Sequence, residues 1–182
     1  MSRAIYLGPW RIDLTVRDGV AVPVAGASLA RAIAVAAEAA GAPWPASIGL
    51  VLSDDRELAS LNARHLRQRG PTDVLSFPLL PPEAFPSHAG LPHRSGAAVA
   101  GFPLPPGCRP HLGDIVVSVE RATAQAAEGQ GGQTGDVRTS APDELRLLVT
   151  HGTLHLCGWD HARRQEESAM RKLEAQLLAA SP

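Results

Sequence analysis

Lysine is nearly missing: of 17 basic residues, Lys172 alone is not arginine. Such a bias fits a GC-rich coding sequence at least as well as a demand for guanidinium. No charge of one sign dominates either. Lys+Arg at 17 against Asp+Glu at 18 leaves a net charge of -1, so no global positive field marks an electrostatic nucleic-acid binder, and only a local patch stays open. Cysteine is scarce. Cys108 and Cys157 form no CxxC pair, which excludes a disulfide framework and suits a reducing cytosol. Long apolar runs are absent as well. The Ala-rich stretch from Ser28 to Ala42 is broken by Arg31 and Glu38 and is too short to span a bilayer. The opening "MSRAIYLGPWRIDLTV" has no signal-like apolar core. The expectation is a soluble, cytoplasmic protein without membrane contact. Its 182 residues, 45% hydrophobic and 19% charged, fit one domain over 1–182 with a buried core.

Strand and helix patterns alternate along the chain. "RIDLTV" (Arg11 to Val16) alternates apolar and polar residues as a strand does. Ser28 is placed to cap a helix that ends at Gly41. Ser47 to Leu52 reads as a second strand, Asp54 as the cap of a helix to His65, and Asp73 to Phe77 as a short strand stopped by Pro78. Residues 78–110 are rich in proline and glycine without period, and read as a long irregular loop. Leu112 to Val119 restores strand character, and a helix follows from Glu120 to Glu128. Ser140 with Asp143 resembles a capping box for a helix that stops at Gly158. A final amphipathic helix covers Arg163 to Ala179. Interspersed strands and helices make the class α+β or α/β, with a small mixed sheet packed by helices.

"HGTLHLCGWDH" carries three of the chain's seven histidines within eleven residues. Residues four apart on a helix differ by about 40° in azimuth, so His151 and His155 project from one face. Gly158 can take positive φ, end the helix and turn His161 back to the same point. Three neutral imidazoles with a fourth position open are the ligand set of a catalytic zinc site. The ligand spacing equals that of metzincin proteases, but the position of their general-base glutamate is Gly152 here. Peptide hydrolysis by that route lacks its proton acceptor.

These residues resemble the YbeY family of metal-dependent endoribonucleases, whose motif HGxLHLxG[YW]DH is matched at every defined position. "PTDVLSFP" (Pro71 to Pro78), "LGDIVVS" (Leu112 to Ser118) and the helix "EESAMRKLEAQLL" agree too. The resemblance implies an α+β fold with a small, mainly parallel sheet and one zinc ion on His151, His155 and His161. It implies single-strand endoribonuclease action in small-subunit rRNA maturation and ribosome quality control, with rRNA of the small subunit as partner. Two departures stand out. Leu66 occupies the place where many members carry an arginine, with Arg64 and Arg67 close by, and the 78–110 loop is longer than the usual connection.

Other residues keep alternatives open. Arg64, Arg67 and Arg69 form a basic cluster that either contacts phosphate or complements a helix dipole. Arg163 and Arg164 pose the same choice. Arg67 and Asp160 are the candidate catalytic residues. Asp160 has two further roles open, capping the last helix and holding a ligand imidazole. Asp114 faces the site or makes a structural pair. Cys157 points to another helix face, and Trp159 fixes the turn or stacks on a base. His88 and His93 lie in the loop, as solvated residues or metal ligands. The competing function is a non-catalytic ribosome-assembly factor with a structural zinc.

Overall fold

A computed structural model describes residues 1–88, 108–132 and 137–180. Five strands form one mixed sheet in the order β1-β2-β3-β5-β4. β2 (Trp10–Val16), β3 (Ala46–Ser53) and β5 (His111–Ser118) run parallel at its centre. β1 (Ser2–Leu7) and β4 (Val74–Pro78) close the two edges antiparallel. The β1 pairing is an addition to the sequence reading, which starts its first strand at Arg11. As an edge strand β1 leaves most of its residues exposed, so it lacks the apolar alternation that announces a half-buried strand.

The helices divide between the two faces of the sheet. α1 (Gly26–Ala39), α4 (Ala141–Leu156) and α5 (Arg164–Ala180) gather on one face and against one another. α2 (Asp55–His65) packs on the other face, where Leu58 meets Leu75 and Val116. α3 (Val119–Glu128) leaves β5 directly and reaches α4. Between the layers Ile12, Leu29, Ile33, Ile48, Leu50, Ile115, Leu145 and Leu154 are fully buried, each contributing about 1.5–3 kcal/mol of transfer free energy.

Three helix starts test the cap assignments. Asp54 accepts from the Glu57 N–H and Ser140 from the Asp143 N–H, both as expected. Ser28 does not cap α1. The N-cap is Ala25, and Ser28, one turn in, accepts a 3.1 Å bond from Arg146 Nε on α4. Burial of α1 against its neighbours outweighs the missing cap. Gly41, at φ 68, follows the helix as expected.

Of the expected 78–110 loop, 89–107 lie outside the described residues, and His93 with them. The part before them is not solvated loop throughout. Pro82–Ala84 makes a 3-10 turn, Phe85 is buried in the core, and His88 stacks on Trp159. Among the described residues no helix is long and apolar enough to cross a membrane.

Candidate metal centre

α4 crosses the sheet with its buried side on β4 and β5, and this sets where its histidines point. Gly152 is the point of closest approach. A Cβ there would lie 2.8 Å from Ile115 Cγ2, 3.1 Å from Ser76 Oγ and 3.3 Å from Val74 Cγ2. Position 152 therefore faces the sheet, and no glutamate could project from it toward the histidines. His151 and His155 emerge on the partly open side, with their Nε2 atoms 3.0 Å apart.

The end of α4 brings in the third histidine. Gly158, at φ 82, donates to the His155 carbonyl at 3.1 Å, and the Trp159 N–H donates to the Leu154 carbonyl at 3.0 Å. That pair of bonds is a Schellman stop, with Trp159 and Leu154 as its apolar partners. The reversed chain sets the His161 ring 5.0 Å from that of His155 and 5.7 Å from that of His151, centroid to centroid. One potential ligand atom from each histidine falls within 4.8 Å of the others. Among the described residues this trio is the group able to hold a metal ion.

Both helical rings have their protons committed away from the centre. His155 Nδ1 lies 2.9 Å from the Trp159 carbonyl, an oxygen that only accepts, so Nδ1 carries the hydrogen. His151 Nδ1 lies 2.6 Å from Oε1 of Glu174 on α5, which is 2% exposed. The Nε2 lone pairs are thereby turned on each other, and a separation of 3.0 Å is favourable only with a positive charge between them, a proton or a metal ion. Two ligands at about 2.0–2.1 Å from a tetrahedral zinc stand ~3.3 Å apart, so this pair fits a small divalent cation with little adjustment, and His161 lies within 4.8 Å of both. Burial, reinforced by His151 and His161, pushes the His155 imidazole down to about 4, which keeps its lone pair available at neutral pH.

Beside the trio lies a cavity of about 270 Å³, lined among others by Asp73, His151, His161, Glu167, Arg171 and Glu174. Sequence reasoning missed Asp73, Arg171 and Glu174 as site residues. A signal for the last existed: Glu166, Met170, Glu174 and Leu177 are all buried at helical spacing, so carboxylates occupy places on α5 where the apolar stripe calls for hydrophobes.

The other candidates are placed less centrally. Arg64 bonds to Ser60 within α2, Arg67 follows that helix at φ 55, and neither these nor Arg69 lines the cavity. Leu66 is 55% exposed at the same helix end. Arg163 and Arg164 are exposed at the start of α5, outside the cavity lining. Asp160 accepts from the His161 N–H at 2.7 Å. At the start of α5 the Arg163 N–H donates to Glu166 at 3.1 Å. Asp114 pairs with His111 at 3.2 Å on the sheet face opposite Ile115, away from the histidines. Cys157 is buried and its thiol is pushed up to about 12 by burial, an inert core residue. His88 is no member of the histidine group; its ring lies 3.7 Å from that of Trp159, nearly parallel at 8°.

A family model described as Endoribonuclease YbeY matches residues 23–181. The chain belongs to the YbeY family. An Endoribonuclease YbeY of Trichormus variabilis is 39% identical over 131 residues, covering 72% of this chain and 60% of that protein. The chain therefore spans less than two thirds of that relative's length. The YbeY of Salinispora tropica is 38% identical over 74% of this chain and 73% of its own. That of Roseiflexus is 34% identical over 93% of this chain and 91% of its own. A solution structure of a Thermotoga maritima protein, 21% identical, aligns over 94% of this chain and 89% of that one with a TM-score of 0.47. The three histidines that converge at the end of α4 lie within the residues that the family model matches.

Proposed function

We propose that the protein is a zinc-dependent endoribonuclease that cuts single-stranded RNA, acting on small-subunit rRNA during maturation and quality control. The observation that carries this reading is the convergence of His151 and His155 Nε2, each ring held by an acceptor on its far nitrogen, beside an open cavity. Membership of a family whose relatives are named endoribonucleases supplies the substrate class.

In this reading His151, His155 and His161 hold one zinc ion, and three nitrogen ligands favour zinc over calcium or magnesium, which prefer oxygen. Zinc supplies a Lewis acid that withdraws electron density from a phosphoryl oxygen. The chain does the rest. Glu174 and the Trp159 carbonyl hold the Nδ1 sides of two imidazoles, so that Nε2 of each is turned toward the ion. Asp73 presents a carboxylate to the same cavity, positioned by its Oδ1, which accepts from the Val74 N–H at 2.8 Å. It is one of three carboxylates on the cavity wall, with Glu167 and Glu174, and in this reading takes up the proton of an attacking hydroxyl. Leu147 and Leu148 give the cavity an apolar wall.

An RNase assay comparing wild type with His155→Ala, at matched folding and free of contaminating nuclease, tests the activity. Cleavage by the wild type that is lost in the variant and after chelation is expected. Equal cleavage by both overturns the reading. A substrate with a single 2′-deoxy position then identifies the nucleophile, because persistent cutting there excludes the 2′-hydroxyl.

A further inference from the structure

The cavity beside the histidines is a poor host for an anion on its lining alone. Asp73, Glu167 and Glu174 contribute three carboxylates, and among the described lining residues Arg171 is the one arginine or lysine. A phosphodiester entering here meets like charge on several sides, and Arg171 is the side chain able to offset it.

Its placement is set by α5. Arg171 sits three residues before Glu174, whose carboxylate is fixed 2.6 Å from His151 Nδ1, and side chains three apart on a helix are neighbours with Cβ atoms about 5–6 Å apart. Helical side chains lean toward the N-terminus of their helix. For Arg171 that lean leads toward Glu167 and the start of α5, the end that follows His161. The guanidinium rests there on Glu167, with Nη2 2.7 Å from Oε1. The two side chains are 44% and 40% exposed, and a solvated pair spaced four apart on a helix contributes little. Giving up that one ion pair costs correspondingly little, and the planar guanidinium grips phosphate through two parallel N–H bonds.

We infer that Arg171 is the substrate-phosphate clamp of the site, parked on Glu167 until a single-stranded RNA enters. The inference rests on the proposed function and adds to it the residue that meets the phosphate. It also separates Arg171 from the arginines at the end of α2 and the start of α5, none of which lines the cavity.

The test measures binding of a non-cleavable, all-2′-deoxy oligonucleotide to the full chain by fluorescence anisotropy across a salt series. Metal content is determined for every variant. Arg171→Gln is expected to bind about tenfold more weakly, and its log affinity against log salt should be shallower by about 0.7, the release expected for one single-strand phosphate contact. Glu167→Gln breaks the same ion pair but keeps the cation, and should bind more tightly than wild type. Arg171→Lys should keep the salt slope and lose part of the affinity. Unchanged affinity and slope in Arg171→Gln overturns the clamp, as does equal weakening in Arg171→Gln and Glu167→Gln, which marks the pair as structural. A wild type that binds neither this oligonucleotide nor the same sequence as RNA overturns the clamp together with the RNA reading. Normal wild-type binding with an indifferent Arg171 overturns the clamp alone.

Discussion

His151 Nδ1 and Glu174 Oε1 stand 2.6 Å apart, joining the first histidine of α4 to a carboxylate twenty-three residues later on α5. The carboxylate is 2% exposed, so the bond is shielded from water and holds the imidazole in one orientation. Removing such a partner of a metal-binding histidine typically weakens metal binding 10–100-fold. Glu174→Ala should therefore lower zinc affinity by roughly that factor in a chelator competition, while Glu174→Gln, whose amide oxygen still accepts, should lose less. Identical affinities in the three proteins would show that the contact does not support the site.

Gly152 makes a second expectation. Gly→Ala in a helix interior normally gains up to about 1 kcal/mol, but here the new methyl meets Ile115 Cγ2, a β-branched and fully buried group with little freedom to turn. Overpacking of this kind costs about 1–3 kcal/mol, so Gly152→Ala should be destabilised in urea unfolding despite its better helix propensity. Adding Ile115→Ala, which removes that methyl, should cost less in the Gly152→Ala background than in wild type. A variant more stable than wild type would contradict the close approach.

Gly158 couples backbone to site. Its φ of 82 costs an L-residue about 1–2 kcal/mol, so Gly158→Ala should lose stability of that order. It should also loosen His161, which reaches the trio only through this reversal. Calorimetry and metal titration on the same sample check both effects, and a loss of stability with intact affinity would separate the turn from the site.

Acid should act on the metal-free protein through His155. Its imidazole is lowered from 6.5 to about 4 in the folded state, so below pH 6.5 the unfolded chain binds this proton first. Stability is thus complete above about pH 6.5 and falls as pH drops toward 4, by roughly 2–3 kcal/mol from this group. Urea unfolding of chelator-treated wild type and His155→Ala at pH 7, 5.5 and 4.5 checks the slope. The variant should lose the part of the pH dependence that belongs to this ring.

What the sequence disclosed and what it hid follow the range of the interactions. The trio was legible because His151 and His155 lie one helical turn apart and Gly158 marks the stop, all local features. The Asp54 and Ser140 caps were legible for the same reason. Glu174 was not, because its partner is on another helix and only α4–α5 packing brings the two together. Arg171 and Asp73 share that history. Ser28 misled because its local preference for a cap lost to a tertiary bond with Arg146. Proline and glycine disguised the stretch before the undescribed residues, although Phe85 and His88 dock it against the rest of the protein.

Two acceptor nitrogens 3.0 Å apart leave the folded chain owing allegiance to a cation. An ion that binds only the native arrangement raises stability by mass action, so the folded population rises and falls with the supply of metal. Scarcity would then shorten the lifetime of the protein against proteolysis as well. The histidine trio would in that sense report the supply of the ion through the abundance of the folded chain.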